Sequence, residues 1–262
     1  VMAADHFAPW VPAQGQSSFV WNVLTAVGER TTGDLGPGVT APTFRWHPAM
    51  VAQASATLAA MYPGRHWLGL GSGEALNEHV VAGYWPEAPE RINRMFEAID
   101  IIKKLFSASL AGKDVKHAGP FYKLESTRLW TMPEVAPEIL VATAGPVTAK
   151  RTGRHADGII TVGAPLEKIT GLFGKFGEGA REAGKDPDAA LSRAFLLALG
   201  REPAAEEQAI LAAPFNHAHS TLSAHTAQTA PFLANGAATA GTGLAHAVHA
   251  PIPRVVLPRL HI

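Results

Sequence analysis

The stretch Arg65-His66-Trp67-Leu68-Gly69-Leu70-Gly71-Ser72-Gly73-Glu74-Ala75-Leu76-Asn77-Glu78 decides the fold. Residues 66–70 form a short, bulky, apolar run, the signature of a buried strand. Gly71-Ser72-Gly73 ends it, and the glycines let the backbone approach a ligand closely. The spacing predicts a helix immediately afterwards, with Ser72 as its cap. Glu74 and Asn77 are three apart, which puts a carboxylate and an amide on one helical face. A strand whose end feeds a carboxylate, an amide and free backbone N–H groups into one space is the site layout of an α/β protein.

Strand–helix alternation extends in both directions from this stretch. Upstream, Val1-Met2-Ala3-Ala4 ends a strand, residues 18–30 form a helix and residues 34–39 a short strand. Residues 47–61 form a helix of small and apolar residues with few charges, hence largely buried. Downstream, residues 89–106 are amphipathic, with Ile92, Met95, Phe96, Ile99, Ile102, Leu105 and Phe106 at helical spacing. Extended pieces at 115–117 and 121–124 flank Ala118-Gly119-Pro120, predicting a hairpin inserted in the region 108–134. Strands follow at 138–142, 158–162 and 194–200, with helices at 147–155 and 166–183. Pro146 stands at the first helical position, where its missing N–H costs nothing. Such alternation predicts a parallel sheet.

Two further places carry candidate chemistry. Asp5-His6-Phe7-Ala8-Pro9-Trp10 follows the first strand. A histidine suits proton transfer near neutral pH, and Trp10 offers an aromatic wall with one N–H donor. Taken alone, the spacing is better explained by a loop histidine beside a half-buried tryptophan. The strand ends near Ala142 and Val162 place small residues beside a helix start, where a phosphate would meet backbone N–H groups. Either loop alone is better explained as a tight connection.

Lys+Arg and Asp+Glu balance at 22 each, which argues against an electrostatic nucleic-acid partner. The chain has no cysteine, so disulfides, thiolate metal sites and a cysteine nucleophile are excluded. That composition fits a cytoplasmic protein, and no apolar stretch is long enough to span a membrane as a helix. From Gln208 to Ile262 there is no Asp or Glu, yet half of the 12 histidines lie there. His217-x-His219 and His246-x-x-His249 lack a carboxylate or cysteine partner, and no metal is expected. The tail is not expected to complete a regular barrel.

Together these segments resemble the coenzyme F420-dependent branch of the luciferase-like TIM-barrel superfamily, nearest its glucose-6-phosphate dehydrogenase-like enzymes. The resemblance runs from Asp5 to about Ala183. It is carried by Asp5-His6-Phe7 with Trp10, by Thr25 to Thr31, by Ala41-Pro42-Thr43-Phe44-Arg45 and by Tyr62-Pro63-Gly64-Arg65. It continues through Gly71 to Glu78, Ala144-Gly145-Pro146 and Gly153 to Gly158. A rival Rossmann fingerprint at Gly69-Leu70-Gly71-Ser72-Gly73 fails on spacing, since G-x-G-x-G is not G-x-G-x-x-G.

The resemblance implies an α/β (β/α)8 TIM barrel in one domain over residues 1–262. It also implies that a first strand and helix precede the Asp5-His6 strand and are absent here, and that the tail 208–262 is irregular. It implies a deazaflavin cofactor, F420, and a hydride taken from an alcohol or sugar hemiacetal carbon. His6 would be the base and Trp10 would border the substrate. Glu74 would assist protonation at the deazaflavin ring. Asp5 would bind the cofactor. Val39 would back the ring across a cis peptide at Gly38-Val39. Ser72, Gly73 and Asn77 would complete the cofactor wall, with Ala144 and Gly145 near its phosphate tail. A homodimer is implied as well. Pro165 stands where sugar-phosphate members place a phosphate-binding lysine, which turns the expectation away from phosphorylated glucose. Two alternatives accompany this reading: a flavin-dependent monooxygenase using FMN, and a truncated or frame-shifted relative that binds cofactor weakly or not at all.

Overall fold

The computed structural model describes residues 1–81 and 83–186. Seven strands and six α-helices alternate there: β1 (Met2–Ala3), α1 (Val20–Gly28), β2 (Gly36–Pro37), α2 (Pro48–Met61), β3 (Trp67–Leu70) and α3 (Ala75–Glu78). They continue with α4 (Ala88–Leu110), β4 (Val115–Ala118), β5 (Lys123–Thr127), β6 (Glu138–Ala142), α5 (Pro146–His155), β7 (Gly158–Ile160) and α6 (Leu166–Glu182).

Five strands run parallel. β1 pairs with β2, and β3-β6-β7 form a second ladder. Isolated parallel bridges, Leu35 to His66 and Thr40 to Leu70, carry the pairing from β2 to β3. Spatial order therefore equals chain order. Right-handed crossovers that always step the same way put their helices on one face, so the strands form an arc of a (β/α) barrel rather than a doubly wound sheet.

Period-2 alternation sorts the side chains. Leu35, Leu68, Leu70, Ile139 and Val141 point outward and join one buried cluster with Leu24, Val51, Phe96, Ile99 and Ile102 of the helices. The alternate positions, Trp67, Gly69 and Gly71, face inward. A Cβ on Gly69 would sit 2.1 Å from the Pro37 carbonyl oxygen and 2.9 Å from the Trp67 ring. A Cβ on Gly71 would sit 2.7 Å from Cγ2 of Val39. Glycine is thus required at both positions by close approach. α5 and α6 also touch through glycines, since a Cβ on Gly153 would lie 2.0 Å from the Phe176 carbonyl oxygen.

The expected elements shift in several places. The strand expected over 34–39 is reduced to Gly36–Pro37, because Pro37 has no N–H to donate. The Gly38-Val39 peptide is cis, as expected. Hydrogen bonds from Gly38 N to Ala3 O (2.8 Å) and from Thr40 N to Gly69 O (3.0 Å) resume the ladder beyond it. The helix expected from residue 18 starts at Val20, and the helix expected over 89–106 runs from Ala88 to Leu110. Ser72 does not cap α3. Glu74 occupies the cap position in an extended conformation, with no side-chain cap bond. The hairpin expected within 108–134 is present as the antiparallel pair β4-β5. The strand expected over 194–200, the tail 208–262 and its histidines lie outside the described residues. No helix among the described residues is long and apolar enough to cross a membrane.

Candidate active site

The C-terminal ends of β1 and β3 bring three candidate residues together. His6 follows β1, and Glu74 follows β3. The Trp10 indole N–H donates to His6 Nε2 at 3.4 Å, and a Glu74 carboxylate oxygen lies 3.8 Å from the same nitrogen. The His6 and Trp10 rings stack with centroids 5.7 Å apart. An N–H aimed at Nε2 marks that atom as the one carrying the lone pair, so the imidazole is held ready to accept a proton. Trp10 is 66% exposed, so it is a solvent-facing wall rather than a buried one.

Asp5 and Asn77 each carry several protein hydrogen bonds at the same strand ends. Asp5 is 4% exposed and lies beneath His6. Its Oδ2 accepts from the Thr40 hydroxyl at 2.5 Å and the Trp46 indole at 3.0 Å, and its Oδ1 from Arg45 at 3.1 Å. Those three donors fix the orientation of the carboxylate. The Asn77 side-chain oxygen accepts from the backbone N–H groups of Phe7 (2.9 Å) and Ala8 (3.3 Å), tying α3 to the loop that bears His6 and Trp10.

Arg45, Glu78, Thr40 and Trp46 were not singled out from sequence. Glu78, 1% exposed, takes the Arg45 backbone N–H at 2.8 Å and pairs with the guanidinium at 3.6 Å. Burial pushes the Glu78 carboxyl up, against the lowering pull of the Arg45 backbone N–H and guanidinium. The inserted hairpin braces the loop of Arg45: the Tyr122 hydroxyl between β4 and β5 donates to the carbonyls of Pro42 (2.8 Å) and Thr43 (3.0 Å). The only sequence signal for this group was Arg45 within the Ala41–Arg45 stretch and the position of Glu78 four residues after Glu74.

The inner face beside these residues has the shape of a cradle. Gly69 and Gly71 keep it flat, the cis peptide sets Val39 against Gly71, and Gly73 adopts φ +86°, a conformation suited to glycine. The Thr43 hydroxyl is buried next to Gly73 with no hydrogen-bond partner. At the next strand end, Gly145 starts α5 with no side-chain cap and open space around its Cα. With Pro146 first in that helix, the following N–H groups are free to meet an anion. This set fits a flat heterocycle with an anionic tail. No group of three or more His, Cys, Asp or Glu suited to hold a metal occurs among the described residues.

Residues 1–252 match the luciferase-like monooxygenase family. The chain belongs to that family. Among its relatives, the F420-dependent hydroxymycolic acid dehydrogenase of Mycobacterium tuberculosis is 40% identical over 213 residues, 80% of this chain and 58% of the relative. The F420-dependent glucose-6-phosphate dehydrogenase of Kribbella flavida is 44% identical over 189 residues, 71% of this chain and 55% of the relative. A solved F420-dependent secondary alcohol dehydrogenase in complex with an F420-acetone adduct superposes with a TM-score of 0.68 at 36% identity, covering 72% of this chain and 57% of that one. The chain spans about half the length of these luciferase-like relatives. The five-strand arc is therefore part of the family's TIM barrel.

Proposed function

We propose that this chain forms the cofactor-binding and catalytic part of a coenzyme F420-dependent oxidoreductase that oxidises an uncharged alcohol or hemiacetal carbon. One observation carries the reading: His6 Nε2, with a lone pair, sits between the Trp10 N–H and the Glu74 carboxylate beside the glycine-lined cradle. When bound, F420 supplies an acceptor for the hydride that leaves the carbinol carbon. The chain's own residues manage the proton. His6 Nε2 takes it from the substrate hydroxyl as the carbon–hydrogen bond breaks, leaving a carbonyl. The resulting imidazolium faces Glu74 Oε2 at 3.8 Å, which stabilises its charge. Glu74 also carries the proton exchanged with the deazaflavin ring, a role taken from the resemblance. Gly38, Val39, Ser72 and Gly73 form the ring's wall, and Ala144 and Gly145 meet its phosphate tail. Asp5 and Asn77 complete the cofactor site, held in place by their protein partners.

An uncharged substrate is favoured by the charges at the strand ends. Among the described residues of those loops, Arg45 is the only Lys or Arg, and its charge is committed to Asp5 and Glu78. A phosphorylated substrate would meet the half-exposed Glu74 carboxylate instead. A homodimer and a cytoplasmic setting belong to the same proposal. Support for the dimer comes from the apolar groove of about 300 Å³ between α1 and α2, lined by Phe19, Trp21, Met50 and Met61. Sedimentation equilibrium tests it.

Titration with F420 and with FMN, followed by tryptophan fluorescence, tests the cofactor. Stopped-flow mixing of loaded protein with secondary alcohols and with glucose 6-phosphate tests the substrate. F420 binding with reduction by the uncharged alcohols is expected. Binding of FMN alone would establish the flavin-dependent alternative, and binding of neither would make the chain a broken relative.

A further inference from the structure

Three buried charges lie directly beneath the catalytic pair. Arg45 donates to the Asp5 carbonyl at 2.9 Å and to the Asp5 carboxylate at 3.1 Å. The same guanidinium pairs with Glu78, the last residue of α3, whose first turn follows Glu74. Asn77 adds the second tie between α3 and the His6 loop. All three charged side chains are 8% exposed or less. One planar fork thus reaches the strand end that bears the base and the helix that bears the acid.

We infer that Arg45 is a positioning residue: its fork between Asp5 and Glu78 sets the distance between His6 and Glu74. The inference rests on the proposed roles of that pair. Glu78 then serves the reaction through Arg45. A lysine cannot do the same. It is a point charge with three rotating donors, whereas the guanidinium presents fixed donors to the Asp5 carboxylate and carbonyl while its Nε–H, without a hydrogen-bond partner, lies 3.6 Å from the Glu78 carboxylate. Removing Arg45 would leave two buried carboxylates without their shared counter-charge, so the three form a unit.

The test compares wild type, Arg45→Lys and Glu78→Gln in the full chain, with one readout that needs no cofactor. Amide hydrogen exchange by NMR is measured at Phe7 and Ala8, whose N–H groups are held by Asn77, and at Leu68 and Ile139 in the sheet. Arg45→Lys is expected to speed exchange at Phe7 and Ala8 on the order of tenfold with the sheet amides unchanged, a local opening. Glu78→Gln, which keeps the side chain's shape, should show the same pattern at smaller amplitude. With F420 bound, Arg45→Lys should lower kcat roughly 10- to 100-fold, the scale of an ångström of misplacement, with KM and cofactor affinity nearly unchanged. That loss should vanish in a His6→Ala background, where no base remains to be misplaced, while any shift in the unfolding midpoint persists. Uniform acceleration of exchange at all four amides, or none at Phe7 and Ala8, overturns the inference. So does a kcat loss that adds fully to that of His6→Ala. Failure of wild type to bind F420 would overturn the proposed function instead, and the exchange measurement would still decide the role of Arg45.

Discussion

The Trp10 indole N–H donates to His6 Nε2 at 3.4 Å, and the two rings stack with their planes 7° from parallel. The lone pair that would take a substrate proton is therefore already occupied by a weak, exposed donor. A substrate hydroxyl must share or displace that donor to reach the base. Trp10 has the freedom to yield, and its indole N–H can then turn to the substrate oxygen.

Trp10→Phe keeps a stacking face and removes the N–H. A neutral hydrogen bond contributes roughly 1 kcal/mol, so kcat/KM for an accepted alcohol should fall about fivefold. Trp10→Ala removes the wall as well and should cost more, chiefly in KM. Steady-state kinetics on both variants checks this. Equal losses would assign the whole effect to the N–H.

His6→Ala should lower hydride transfer at saturating F420 by ~10²–10⁴-fold, the usual scale of general-base help. Cofactor affinity should stay near wild type, because His6 faces Trp10 and Glu74 rather than the open start of α5. Glu74→Gln keeps shape and reach but loses the charge, so turnover should fall more than affinity. Stopped-flow reduction with a separate F420 titration separates the two quantities. Severe loss of F420 binding in His6→Ala with normal transfer would remove His6 from the role of base.

Gly71→Ala tests the cradle. The added Cβ would lie 2.7 Å from Val39 Cγ2, a contact that must push the stiff valine toward the ring site. Overpacking of this kind costs about 1–3 kcal/mol. F420 affinity should fall roughly tenfold or more with the far-ultraviolet circular dichroism unchanged. Unaltered affinity would place the ring elsewhere.

His66 predicts a pH dependence of stability. It is buried, with Nδ1 donating to the Leu35 carbonyl (3.2 Å) and Nε2 accepting from the Ser55 hydroxyl (2.9 Å). Desolvation lowers its pKa to about 4 from 6.5, although the Leu35 bond pulls the other way. Below pH 6.5 the unfolded chain takes a proton that the folded chain refuses until about pH 4. This stabilisation is complete above pH 6.5 and is lost as pH falls toward 4, by about 3 kcal/mol in total. Urea midpoints between pH 7 and pH 4.5 measure it. His66→Gln should be less stable at pH 7 but show a shallower acid slope. The difference between the two proteins separates His66 from Glu78, whose raised carboxyl acts in the opposite sense.

Sequence by itself determined the parallel strand–helix order, the buried strand at Trp67–Leu70 and the inserted hairpin, while His6, Trp10 and Glu74 were pointed out by the family's residue pattern. The elements were legible because local physics writes them: period-2 and helical spacing of apolar residues, and turn glycines and prolines. The family's residue pattern added the cis peptide at Gly38-Val39. Only the tertiary structure decided which side chains meet. The Asp5 carboxylate meets Thr40, Arg45 and Trp46, and the Asn77 side chain meets the loop that bears His6. Ser72 gave up the cap to Glu74, because the positive φ of Gly73 carries the chain two residues further before α3 begins. Partners 30 to 80 residues apart, such as Arg45 with Glu78 or Tyr122 with Pro42, leave no periodic trace in the chain. Their pairing is fixed when the parallel arc brings separate strand ends into one low-dielectric space, where an unpaired buried charge or hydroxyl is costly.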